Sequence, residues 1–198
     1  MNRHGCTLLS LAVALVLGVG TASAQDSIYD VGYFANANAS GAPSAQLRLT
    51  NDGADSAANL CANIYVFDTA EEMQECCSCE ITPDGYLDLS VNTNLLGNIL
   101  DHGTKPTRGV IKEVSGVVPP SGVCSPSNIT NVGLVIKGWL THVQKGATSG
   151  TFSISETPLT DSVLNGPEEL KVNLEETCGF VQSLGTGTGV CSCADAGD

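Results

Sequence analysis

Eight cysteines fall where they leave the chain few ways to fold. Cys76, Cys77 and Cys79 lie within four residues, Cys191 and Cys193 stand near the carboxyl end, and Cys61, Cys124 and Cys178 stand singly. A bond between adjacent residues such as Cys76 and Cys77 is strained. The one-residue gaps of Cys77–Cys79 and Cys191–Cys193 resist the Cα separation and torsion that a disulfide needs. Each crowded cysteine is therefore expected to find a distant partner. Eight cysteines allow 105 pairings. The economical solution has at least one bond between the 76–79 cluster and the 191–193 cluster, with Cys61, Cys124 and Cys178 taking the remaining partners.

Disulfides need an oxidising compartment, and the amino end predicts one. Arg3 opens the chain, residues 7–20 are an apolar run, and Ala22-Ser23-Ala24 supplies the small residues that a signal peptidase reads. This is the pattern of a secretory signal with cleavage after Ala24. The run is short for a ~30 Å hydrocarbon core, which disfavours a retained anchor. A ninth cysteine, Cys6, precedes the run and leaves with the signal. Residues 1–24 are thus read as signal peptide and residues 25–198 as one secreted domain, extracellular or periplasmic. A chain of that length buries about 70 % of its unfolded surface. Thiolate metal binding fits less well, because zinc sites favour gaps of two to four residues within each ligand pair. No metal or cofactor is expected.

Charge excludes some partners. The chain carries 8 Lys+Arg against 21 Asp+Glu. Nucleic acid and anionic membrane surfaces demand basic patches and would be repelled, so neither is expected as a partner once the signal is removed.

Strand signals dominate the rest. Leu47 and Leu49 alternate with polar neighbours, residues 60–67 are apolar on both faces, and Leu87, Leu89 and Val91 alternate after the turn Thr82-Pro83-Asp84-Gly85. Residues 68–75 read as an acidic bend, followed by a knot of three cysteines. Residues 92–108 read as loop, 110–114 as a strand, and 132–143 as the longest strand, with Gly138 marking a bulge. Phe152 and Ile154 lie on a strand paired to it through the 145–150 turn. Pro167-Glu168-Glu169 then opens a helix that places Leu170, Leu174, Cys178 and Val181 on one stripe and ends near Gly185.

Candidate chemistry is sparse. Asp68, Glu71, Glu72 and Glu75 lack the glycine-bearing loop that a calcium site uses and read as a solvated turn. His102 lies beside Asp101, and His142 lies on the long strand, but no Gly-x-Ser-x-Gly elbow accompanies either. No catalytic residue is assigned. Asn38-Ala39-Ser40 and Asn128-Ile129-Thr130 match the N-glycosylation pattern and serve as surface markers.

The segments LCANIYVFDTAEEMQECCSC, TPDGYLDLSVN and GWLTHVQ, with the terminal Cys-x-Cys, resemble a family of uncharacterised secreted bacterial cysteine-rich proteins. The resemblance implies export and assigns no activity, so no functional residue is carried over from it.

The pattern predicts a mainly β fold: an antiparallel β-sandwich with one C-terminal helix, stapled by disulfides. The leading functional expectation is an exported non-enzymatic binding or structural module of the cell surface or matrix. A secreted hydrolase with a loop-built site is the alternative. So is a subunit of an extracellular fibre, self-associating when the Ile28 to Phe34 patch adds to a neighbour's sheet edge.

Overall fold

The structure is a computed structural model that describes residues 25–54, 58–100, 104–184 and 188–193. The signal-like leader, His102 and Gly185 lie outside these residues. Among the described residues, nine strands form two antiparallel sheets, and one helix packs on the first of them. The strands are β1 Tyr29–Ala35, β2 Gln46–Thr50, β3 Leu60–Phe67, β4 Met73–Ile81, β5 Tyr86–Ser90, β6 Arg108–Val117, β7 Lys137–Lys145, β8 Phe152–Pro158 and β9 Thr160–Asp161. The first sheet runs β4-β3-β6-β1-β9 and the second β5-β2-β7-β8. The helix, α1, is continuous through Gly166–Glu168, Glu169–Glu176 and Thr177–Ser183. Its middle segment is wound with π geometry, and the Thr177 hydroxyl donates to the Val172 carbonyl five residues back.

Two cores follow from the pleat. Leu60, Ala62, Ile64 and Val66 of β3 point between the sheets and meet Leu47, Leu49, Leu87, Leu89 and Leu140. Tyr65 points the other way, into a second core under α1 with Tyr29, Leu174, Cys178 and Val181. All but the last residue of β3 are buried, as expected of a strand covered on both faces.

The same alternation resolves the crowded cysteines. Residues 73–81 are not a bend and knot but a strand, so successive side chains face opposite cores. Cys76 faces the helix and bonds Cys178 (Cα–Cα 5.9 Å). Cys77 and Cys79 face inward and bond Cys191 (5.1 Å) and Cys193 (5.6 Å). Cys61 bonds Cys124. The tail lies along β4 as well as being tied to it. The Cys76 amide donates to the Gly189 carbonyl (2.9 Å) and the Cys191 amide to the Cys76 carbonyl (3.3 Å), a parallel bridge at the outer edge of this sheet. Gly189 takes φ +77°, and a β-carbon there would stand 2.1 Å from Val181 Cγ1, so only glycine lets the tail pass between strand and helix.

Other expectations are corrected. The long strand begins at Lys137 rather than Val132, because Leu134 takes φ +63° and breaks the extended run. Residues 92–108 are not all loop: a helical turn at Val91–Leu95 buries Val91 and Leu95, and Leu96 and Ile99 follow it into the core. The Ile28 to Phe34 patch is only partly a free edge: β1 pairs with β6 along its whole length, and on its other side β9 pairs with it at Asp30 and Val31 alone. The edge strands of the second sheet are β5 and β8.

Gly138 marks no bulge and pairs regularly with Leu49. It is glycine because Leu159 packs where its side chain would be: a β-carbon on Gly138 would lie 2.6 Å from Leu159 Cδ1, and one on Gly32 would lie 2.6 Å from Leu159 Cδ2. Leu159 sits where the chain leaves β8 of one sheet and enters β9 of the other, and its amide donates to the Gly138 carbonyl (2.9 Å).

Candidate functional site

The crossing at Leu159 forms a corner where the sheets meet, and the chemically distinctive side chains gather there. A cleft of about 330 Å³ opens beside it, lined by Tyr33, His142, Thr157, Leu159 and Asp161 among others. The wall is set by the pleat of β7 and β8: His142 stacks on Tyr33, with ring centroids 4.3 Å apart, and its Nε2 lies 2.7 Å from the Thr157 hydroxyl. The Nδ1 atom is buried without a hydrogen-bond partner. A general-base histidine is normally oriented through that second nitrogen by a carboxylate. His142 has no such partner among the described residues.

Behind the cleft lies a row of acids. Strand register places Glu113 of β6 opposite Asp30 of β1, and Asp30 opposite Asp161 of β9. Asp30 is fully buried, and neither of its carboxyl oxygens accepts a hydrogen bond from a donor. Burial, then the charge of Asp161, then contact with the Asp161 carboxyl push its pKa up to about 7. Glu113 is likewise fully buried. Both its oxygens accept from the Ser115 hydroxyl (3.2 and 3.3 Å), and burial followed by the Asp30 charge hold its pKa well above the usual carboxylate range. Asp161 is exposed and accepts from the Asp26 amide (3.4 Å).

The amino-terminal strap closes the corner. The Gln25 carboxamide pairs with the main chain of Gly138 as a neighbouring strand would: Nε2 donates to the Gly138 carbonyl (2.7 Å) and Oε1 accepts from its amide (3.0 Å). Nε2 also donates to the Leu159 carbonyl (3.1 Å).

The residues singled out in the sequence disperse. All eight cysteines after Cys6 are in disulfides. Sulfurs of Cys77, Cys79 and Cys193 lie within 4.8 Å of one another, but each is committed to an S–S bond and offers no thiolate. Asp68 caps the bend, its Oδ1 accepting from the amides of Ala70 (2.8 Å) and Glu72 (3.0 Å). Glu71 and Glu72 are exposed, while Glu75 turns away into β4 and is buried. Asn38 and Asn128 are exposed. The acid row escaped the sequence because its three members are 48 and 83 residues apart and only register aligns them.

β8 is the other distinctive surface. It pairs with β7 alone among the described strands, and six of its seven residues are exposed, Ile154 by 60 %. No helix of the described residues is long and apolar enough to cross a membrane.

Comparison with known proteins adds little. No family model matches the chain, and no curated protein matches it. A crystal structure of a Thermotoga maritima protein is similar over 68 % of this chain and 91 % of its own, at 14 % identity and a TM-score of 0.41. A likeness that slight carries no argument about fold or function.

Proposed function

We propose that the protein is an exported, non-catalytic binding or structural module of the cell surface or extracellular matrix, and that it engages its partner by strand addition at β8. The open edge of β8 carries the reading. An unpaired row of main-chain groups is a template for a further strand, and the alternating exposed side chains of Phe-Ser-Ile-Ser-Glu-Thr-Pro would set its register. The signal-like leader and four disulfides support export to an oxidising compartment. The net charge of −13 disfavours nucleic acid and anionic membrane as partners. His142, without an acid to orient it, gives the hydrolase alternative little support.

Ile154→Lys tests the reading, because an outward charge on an edge strand blocks strand addition at a position that is already solvated. Wild-type protein should partition with the surface or matrix fraction of the producing cells, or sediment as an assembly. The variant should stay free and monomeric with an unchanged melting temperature. Unchanged partition of the variant, or a hydrolytic activity lost in His142→Ala, would overturn it.

A further inference from the structure

We propose that Asp30 and Asp161, backed by Glu113, form a site for a hard divalent cation of the calcium class at the corner where the chain changes sheets. The inference is independent of the role of β8. A buried carboxyl whose two oxygens meet no donor calls for an explanation by something the protein itself does not supply, a proton or a cation. Directly opposed residues on neighbouring strands have β-carbons about 4.5–5.5 Å apart. Asp30 and Asp161 are directly opposed in register and therefore converge enough for one ion to sit between their carboxylates. Like charges in this arrangement repel unless something neutralises them.

No positive side chain among the described residues offsets the row. The charge acting on Asp30 is that of Asp161, and the charge acting on Glu113 is that of Asp30. Lys112, next in sequence to Glu113, is on the opposite face of β6 and pairs with Glu169 (3.6 Å). Lys137 pairs with Asp52. The donor set decides the class of ion. Carboxylate oxygens without thiolate or imidazole favour calcium or magnesium over zinc or copper. Calcium accepts six to eight oxygens in loose geometry and tolerates water among them, which suits two carboxylates with one side open to solvent at Asp161. Magnesium demands a tighter octahedron. Asp30 is the ligand that matters most, because burial leaves its charge with no other compensation.

Proton and calcium compete for Asp30, and the experiment exploits this. The probe is calcium chloride against EDTA, on the full mature chain, at pH 8 and pH 5, read by thermal unfolding and by calorimetric titration. At pH 8 the wild-type protein should bind about one calcium tightly and melt several degrees higher with it, since a ligand at a hundred times its dissociation constant adds about 2.7 kcal/mol. At pH 5 the response should shrink. Asp30→Asn and Asp161→Asn should each weaken binding at least tenfold. Asp30→Asn, freed of its buried charge, should melt in EDTA at pH 8 no lower than wild type. Glu71→Gln with Glu72→Gln should leave the calcium response intact. Should Asp30→Asn fail to fold, Asp161→Asn decides, because its side chain is exposed. A wild-type melting temperature indifferent to millimolar calcium at pH 8 would show that a proton alone neutralises the row. That result, or a calcium response surviving in Asp161→Asn, would overturn the proposal.

Discussion

Glu75 shows how a buried acid shapes the protein's response to pH. It is fully buried, its Oε1 accepts from the Asn98 amide (2.6 Å), and its Oε2 has no partner. Burial raises its pKa to about 7, opposed by the Asn98 bond and the charge of Lys105. Asp30 is raised to about the same value. Between about pH 4 and 7 the folded chain therefore holds protons that the unfolded chain releases. The sign follows from linkage: stability from these groups is complete below their unfolded pKa values and is lost as pH rises through 7. Without added calcium, the melting temperature should fall from pH 5 to pH 8. Glu75→Gln keeps the oxygen that Asn98 uses and removes the charge. It should flatten that slope and gain about 1 kcal/mol at pH 8, the scale of one compensated buried polar group. Urea titrations at the two pH values measure both effects, and a wild-type protein more stable at pH 8 than at pH 5 would contradict them.

At the scale of elements, the corner holds the sandwich together. The segment from β8 through Leu159 to β9 belongs to both sheets, and the glycines at 32 and 138 exist to admit Leu159. Gly138→Ala places a methyl group where Leu159 and Leu49 already sit and should cost about 1–3 kcal/mol, the usual range for overpacking. Leu159→Ala in the same chain should recover part of that loss, because it empties the contested space. A double-mutant cycle by chemical denaturation reads the coupling, and strictly additive losses would mean that the two residues do not compete for that space. How much of this was legible varies by element for physical reasons. Strands β2, β3 and β5 were readable because Leu47 with Leu49, residues 60–67, and Leu87 with Leu89 show the two-residue period directly. β4 was hidden because Cys76 and Cys77 are apolar on opposite faces and Glu75 is a buried acid, so no period stands out. The limits of β7 were misread because Val132 and Ile136 are apolar without being in register. The corner and the acid row were invisible, since Leu159 with Gly32, and Asp30 with Asp161, become neighbours only through tertiary pairing.

For the whole molecule, three of the four disulfides make one clamp rather than three independent ties. Three bonds join β4 to the segment from Cys178 to Cys193, spanning 102, 114 and 114 residues. Only the first to form closes a long loop, for which the chain-entropy model gives about 4.7 kcal/mol. With Cys76–Cys178 in place, the shortest path closed by Cys77–Cys191 is about 14 residues, which that model puts at roughly 3 kcal/mol. Adding Cys79–Cys193 then closes only a few residues, roughly 2 kcal/mol. Cys193→Ser with Cys79→Ser should therefore destabilise mildly. Removing Cys77, Cys79, Cys191 and Cys193 together should cost about 5 kcal/mol on the same arithmetic and should release the tail from the edge of β4. Hydrogen exchange at the Cys76 and Cys191 amides would report that release. The claim beneath all of this is that the tail is bonded back to the strand at 73–81. Peptide mapping under non-reducing conditions, with partial reduction to separate the adjacent cysteines, tests it most directly. The account predicts Cys76–Cys178, Cys77–Cys191 and Cys79–Cys193; free thiols at Cys191 and Cys193, or a bond between those two alone, would contradict it.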